Sequence, residues 1–283
     1  MTPRFFYFVI CILALFASTS CTSIFYYPRI PDRKFYDPKQ AGLIQEEIYF
    51  EDEDHHRLHG WWFQATKEPN LGTLVFFHGN AENITTHFLQ FTWLPAKGYS
   101  YFIFDYPGYG ESQGGPSPKT NLMAGKAALQ WVHQNKDARP LIVYGQSLGG
   151  NIALKTVLEL RDHVPLRNLI LDSTFLSYRS VARTKASEHW LTWLFQPLAW
   201  LVMSDSYAPE HIERVSPIPA LVIHGQKDLV IDPKFGEEIY EKLAEPKEIW
   251  RIESGTHGNV FWTDGQSYRQ KFIDYLARPK TVL

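Results

Sequence analysis

Residues 141–150 read Leu-Ile-Val-Tyr-Gly-Gln-Ser-Leu-Gly-Gly, and no other stretch constrains the fold of this chain as much. Four β-prone apolar residues run into Gly145-Gln146-Ser147-Leu148-Gly149, and residues 151–160 have helical apolar spacing. A strand that turns into a helix through G-x-S-x-G must lift the serine out of the sheet on a sharp, strained turn. The residues two before and two after it then come too close together for side chains, so both are glycine. Gly150 lets the following helix pack closely. A glycine-rich turn around a solvated serine is the alternative, and the flanking strand and helix favour a nucleophile.

The rest of the chain repeats the strand-then-helix pattern. Strands are expected over 43–50, 58–64, 73–77, 101–104, 141–144, 166–171, 220–224 and 248–252. Helices are expected over 83–94, 120–134, 233–243 and the end of 260–276. With 283 residues, 45% of them hydrophobic and 20% charged, the chain can bury a sizeable core. A net charge of -2 provides no basic field for nucleic acid. The body contains no apolar run of membrane-spanning length.

A serine hydroxyl needs a base, and the base needs a third group to hold its tautomer. Asp228 stands just past one late strand and His257 just past the next, both at the edge that presents Ser147. Asp172 also follows a strand, but Asp228 lies on the loop that fits the chain order serine, acid, histidine. Asp232 is read as a helix cap, Asp205 lies in an insertion, and Asp105 is read as an acceptor for loop amides. His224 and His78 precede glycines within strand ends, whereas His257 has a Gly-flanked loop. The strand ending at Phe77 runs into His78-Gly79-Asn80, so backbone N–H groups of Asn80 and Leu148 are the candidate oxyanion donors. A metal reading of His55, His56 and His59 is set aside, because a charged hairpin turn explains them.

Residues 1–20 read as an export signal: Arg4, an apolar core from Phe5 to Phe16, then small residues. Cys21 follows at once. The segment resembles a bacterial lipoprotein signal, with Ser18 where leucine is usual; the alternatives are an ordinary signal peptide or an uncleaved anchor. Lipidation of Cys21 would anchor the mature chain, and Thr22 after it weakly favours an outer membrane. Residues 21–40, with Pro28, Pro31 and Pro38, are expected to form an extended tether, or to pack on the domain through their five aromatic residues. Residues 175–212 have no strand signal and carry Trp190, Trp193, Phe195 and Trp200. They are expected to form a small helical lid whose aromatics contact substrate or are buried on the domain.

Beyond these motifs, the chain resembles the α/β-hydrolase superfamily, and within it the Bem46-like group, the ABHD13 and ABHD17 type of serine hydrolases. The likeness is carried by Leu58-His59-Gly60-Trp61-Trp62, Phe77-His78-Gly79-Asn80-Ala81-Glu82-Asn83, Asp105-Tyr106-Pro107-Gly108-Tyr109-Gly110, residues 145–150, His224-Gly225 with Asp228, and Gly255-Thr256-His257. It spans about residues 43–276, with the hydrolase domain placed at 41–283. The resemblance implies an α/β-hydrolase fold: an eight-stranded, mostly parallel sheet with helices on both faces. It also implies no cofactor, and ester, thioester or occasionally peptide bonds as targets; no metal is expected, and the expected partner is a small-molecule or lipid acyl ester. An aminopeptidase on the same three residues, and a non-catalytic envelope binding protein, are the rival readings. Oligomeric state is left open.

Overall fold

In the computed structural model, which describes residues 25–28, 34–188, 196–197 and 203–278, the alternating apolar segments form one sheet. Its strands are β1 (Glu46–Glu51), β2 (Arg57–Phe63), β3 (Gly72–Phe77), β4 (Tyr99–Phe104), β5 (Leu141–Gln146), β6 (Leu166–Asp172), β7 (Ala220–Gly225) and β8 (Lys247–Ile252). They lie in the order β1-β2-β4-β3-β5-β6-β7-β8. β2 is antiparallel to both its neighbours, and every other pair is parallel. The helices are α1 (Ile84–His87), α2 (Pro118–Asn135), α3 (Leu148–Leu160), α4 (Tyr178–Ser187), α5 (Lys234–Lys242) and α6 (Ser267–Ala277).

Alternation along the central strands builds two cores. Val75 and Phe77 of β3, with Val143 of β5, face a core completed by α2, α3 and α5. Leu74, Phe76, Ile142 and Tyr144 point the other way, toward Phe88, Phe91 and the Phe272-Tyr275-Leu276 stripe of α6. Strands buried on both faces must read as continuous apolar runs, which is why these segments are legible. Parallel pairing also has a functional consequence. The loops after β3, β5, β7 and β8 all leave by the same edge, where open parallel sheets place their sites.

Two expectations change. Residues 83–94 form only the single turn α1, capped by the Asn83 side chain on Thr85 N–H, and then a 3-10 turn over Phe88–Phe91. Burial of Phe88 and Phe91 against the sheet, with Pro95 beyond, overrides helical spacing here. Nor is the described part of 21–40 a free extended tether. Tyr26 is buried and its hydroxyl pairs with that of Tyr178 at 2.6 Å, while Phe25 packs edge-on against Tyr178. Phe35 N–H donates to Thr85 Oγ1, and Pro38 is buried in a 3-10 turn. Aromatic surface of this size gains more by docking than by staying in water. Cys21 and the lid aromatics Trp190, Trp193, Phe195 and Trp200 lie outside the described residues, although α4 occupies the start of the lid. Among the described residues, no helix is long and apolar enough to cross a membrane.

Candidate active site

Ser147 sits at the junction of β5 and α3 with φ 54° and ψ -122°, a conformation that costs an ordinary residue roughly 1–3 kcal/mol. Close packing enforces it. A Cβ on Gly145 would stand 2.6 Å from the carbonyl oxygen of Gly149, and one on Gly149 would stand 2.1 Å from that of Phe77. Backbone bonds hold the turn: Ser147 N–H donates to Asp172 O at 2.8 Å, and Thr174 Oγ1 donates to Ser147 O at 2.6 Å.

The hydroxyl so presented meets His257 on the loop after β8. Ser147 Oγ lies 2.9 Å from His257 Nε2, and His257 Nδ1 lies 2.8 Å from Asp228 Oδ2. With Nδ1–H donating to the carboxylate, Nε2 is left as an acceptor for the serine proton. Asp228 stands on the turn after β7, where its Oδ1 accepts from the N–H groups of Val230 and Ile231. Burial raises its pKa, but bonds from His224, His257 and the Ile231 amide outweigh that and hold the carboxyl well below the usual range. It is therefore a fixed negative charge behind the imidazole.

The other acids fall elsewhere. Asp172 is buried, bonded to Tyr144 Oη at 2.6 Å and Ser173 Oγ at 3.0 Å, and its carboxyl is raised, first by burial. Asp105 accepts from Ile84 N–H, Asp232 from Lys234 N–H, and Asp205 from Ser177 Oγ. His224 lies beneath Asp228 with Nε2 donating to Ile231 O, and His78 is buried against Tyr106. His55, His56 and His59 each face a carboxylate in or just after β1, Glu51, Asp52 and Glu47 respectively.

The loop after β3 completes the rim. Gly79 lies so near that a Cβ there would be 3.6 Å from Ser147 Cβ. Asn80 Oδ1 collects three donors: Ala81 N–H, Tyr27 N–H and Tyr109 Oη. Ala81 and Glu82 both have φ near 60°, unusual for residues with side chains. The Asn80 bonds and His87 Nε2–H donating to Ala81 O at 3.1 Å hold them there. Burial keeps His87 below the ordinary imidazole pKa, so it stays neutral. The main-chain N–H of Asn80 has no acceptor among the described residues. That of Leu148 opens α3 and, as at any helix start, has no intrahelical partner.

Three contributors are invisible in the sequence. The peptide after His257 is clamped: Gly258 N–H donates to Ser173 Oγ, and Gly258 O accepts from Gln146 Nε2 at 2.9 Å and Gln90 Nε2 at 3.3 Å. Only the position of Gln146 inside the G-x-S-x-G motif hinted at a role. A cleft of about 470 Å³ opens over Ser147, lined also by Leu89, Val230, His257 and Trp262.

Sheet order, an elbow serine on β5 and an imidazole above it together define an α/β-hydrolase, and the chain is a hydrolase enzyme of that class. Residues 68–216 match the family model described as serine aminopeptidase, S33, and the chain belongs to that family. It is 36% identical over 270 residues to protein YfhR of Salmonella typhimurium, covering 90% of this chain and 87% of that one. It is 27% identical to the lysophosphatidylserine lipase ABHD12 of Danio rerio, across 75% of this chain and 57% of that one. An esterase of Pyrococcus furiosus, Pf2001, superposes with a TM-score of 0.68 at 18% identity, covering 89% of this chain and 98% of that one; this likeness concerns the fold.

Proposed function

We propose that the chain is a membrane-tethered, exported serine hydrolase that cleaves carboxylic esters or thioesters through an acyl-enzyme. Ser147 Oγ attacks the carbonyl carbon while His257 Nε2 takes its proton. The N–H groups of Asn80 and Leu148 receive the developing oxyanion, each donor contributing about 3 kcal/mol on precedent elsewhere. His257 returns the proton to the leaving group and then activates water to free the acyl group. Asp228 holds the imidazole in the required tautomer and stabilises its cation. The observation that carries this reading is the unbroken serine–imidazole–carboxylate chain, at 2.9 and 2.8 Å, opening into a cleft.

The family description names aminopeptidases, but a peptide amine needs a carboxylate to hold it. Among the described residues, none of the side chains lining the cleft is acidic. This favours an ester or thioester, as does the lipase among the relatives. Family likeness also supports placing the chain in the Bem46-like group, and the signal-like segment with Cys21 supports lipidation and an envelope location. Turnover of p-nitrophenyl esters against aminoacyl p-nitroanilides, by wild type and Ser147→Ala, tests the chemistry. Ester turnover lost with Ser147 is expected; anilide turnover exceeding ester turnover would refute it. Mass spectrometry of the mature N-terminal peptide should find acyl groups on Cys21, and an unmodified Cys21 would refute lipid anchoring.

A further inference from the structure

We propose that the mouth of the cleft is a membrane-docking surface, so that the acyl ester enters from a lipid bilayer rather than from water. This rests on Ser147 as nucleophile and on an N-terminal membrane anchor. It adds which face meets the lipid and what class of ester is taken.

Four large apolar side chains stand exposed around this one opening: Leu229 at 87%, Tyr27 at 63%, Val230 at 50% and Trp262 at 50%. Val230 and Trp262 line the cleft, Leu229 is the tip of the same turn as Val230, and Tyr27 N–H is held by the cleft residue Asn80. Exposed apolar residues scattered singly are ordinary; grouped at a pocket mouth they mark an interaction site. The turn is not free to hide them. Asp228 Oδ1 fixes Val230 and Ile231 by their amides, Ile231 turns inward to 5% exposure, and Leu229 is left pointing out. The Arg269 guanidinium stacks 4.7 Å above the Trp262 ring. Indole beside a cation suits the headgroup layer of an anionic bilayer.

The path of the chain selects lipid over a protein partner. Phe25 and Tyr26 are fixed on Phe175 and Tyr178, and Tyr27 on the loop after β3, so the N-terminal segment joins the domain at the rim of the cleft. Cys21 lies four residues before Phe25, a span of at most about 14 Å. A lipid anchor there puts the bilayer surface beside the opening and leaves the opposite edge of the sheet in water.

The test uses the full chain in vesicles of phosphatidylethanolamine and phosphatidylglycerol, with Leu229→Glu/Tyr27→Glu as the variant. Neither side chain lines the cleft. Turnover is compared for p-nitrophenyl acetate in water and a long-chain 4-methylumbelliferyl ester dissolved in the vesicle. The variant should keep aqueous turnover within about twofold and lose bilayer turnover about tenfold or more, as expected when two apolar contacts with lipid become charged. Unchanged turnover of both esters, or an equal fall in both, would overturn the proposal; a protein partner here would leave both unchanged. A second readout does not need turnover. Lipids brominated in the acyl chain should quench Ser147→Ala protein more than Ser147→Ala/Trp262→Phe protein, and equal quenching would also overturn the proposal. If the serine chemistry itself is wrong, wild type fails on both esters while the quenching difference persists.

Discussion

At Asp228 one carboxylate serves two neighbours. Oδ1 ties down its own turn through Val230 and Ile231, and Oδ2 receives His257, so the charge that supports the imidazole also fixes the loop. Replacing it with Asn reverses one hydrogen-bond polarity and leaves the shape, which in serine triads costs on the order of 10⁴-fold in kcat. Asp228→Asn should show a loss of that order in ester turnover, whereas Asp172→Asn, whose carboxyl faces Tyr144 and Ser173, should cost less than about tenfold. Equal losses would contradict the assignment, and a larger loss at Asp172 would exchange their roles. The sign of the pH effect follows from the depressed pKa of Asp228. Its stabilising contribution is fully present above the ordinary value of 3.8 and is lost as pH falls from there through the native value. The melting-temperature gap between wild type and Asp228→Asn should therefore narrow as pH falls below the ordinary carboxylate value; a gap that does not narrow in acid would contradict it. Both side chains were legible from chain order and strand-end placement. The clamp on Gly258 was not, because Gln90 and Gln146 reach it across 168 and 112 residues and no local pattern encodes such a pairing.

The strand–turn–helix element at 141–160 is where local sequence and tertiary packing agree most closely. Its glycines are explained by what a Cβ would strike, and the obstacles at Gly149 are the backbone carbonyls of Phe77 and His78, which cannot rotate away. Gly149→Ala should lose about 3 kcal/mol or more in urea unfolding, because overpacking against backbone is relieved only by shifting β3. Gly115→Ala, with nothing within 4 Å of its Cβ, should stay within about 0.5 kcal/mol. Comparable losses at both would show that close approach is not what selects glycine at the elbow. Elements with simple periodicity were readable: α2 begins on a Ser117–Thr120 capping box and buries the stripe that its spacing implied. Residues 83–94 misled, since aromatic burial and a following proline decided the backbone there. The aromatic strap from Phe25 was only half legible. Its prolines read as a tether, while its docking depends on Tyr178 and Asn80, distant partners that the strap's own sequence does not identify.

Across the whole molecule, parallel pairing gathers loops from four separate strands at one edge, and the cleft exists because all four end there. The order of elements and the two-faced core followed from apolar runs, since strands buried on both sides cannot hide polar positions. Strand order within the sheet was not fixed by local pattern, and family likeness implied only eight strands, mostly parallel. A fold of this kind hosts many chemistries, so the proposed function rests on the convergence of Ser147, His257 and Asp228 rather than on architecture. The most direct test of that convergence is covalent. Folded protein treated with a fluorophosphonate should carry one adduct, located by peptide mass spectrometry on Ser147, with labelling abolished in Ser147→Ala and strongly slowed in His257→Ala. An adduct on another residue, or equal labelling of folded wild type and Ser147→Ala, would contradict the account.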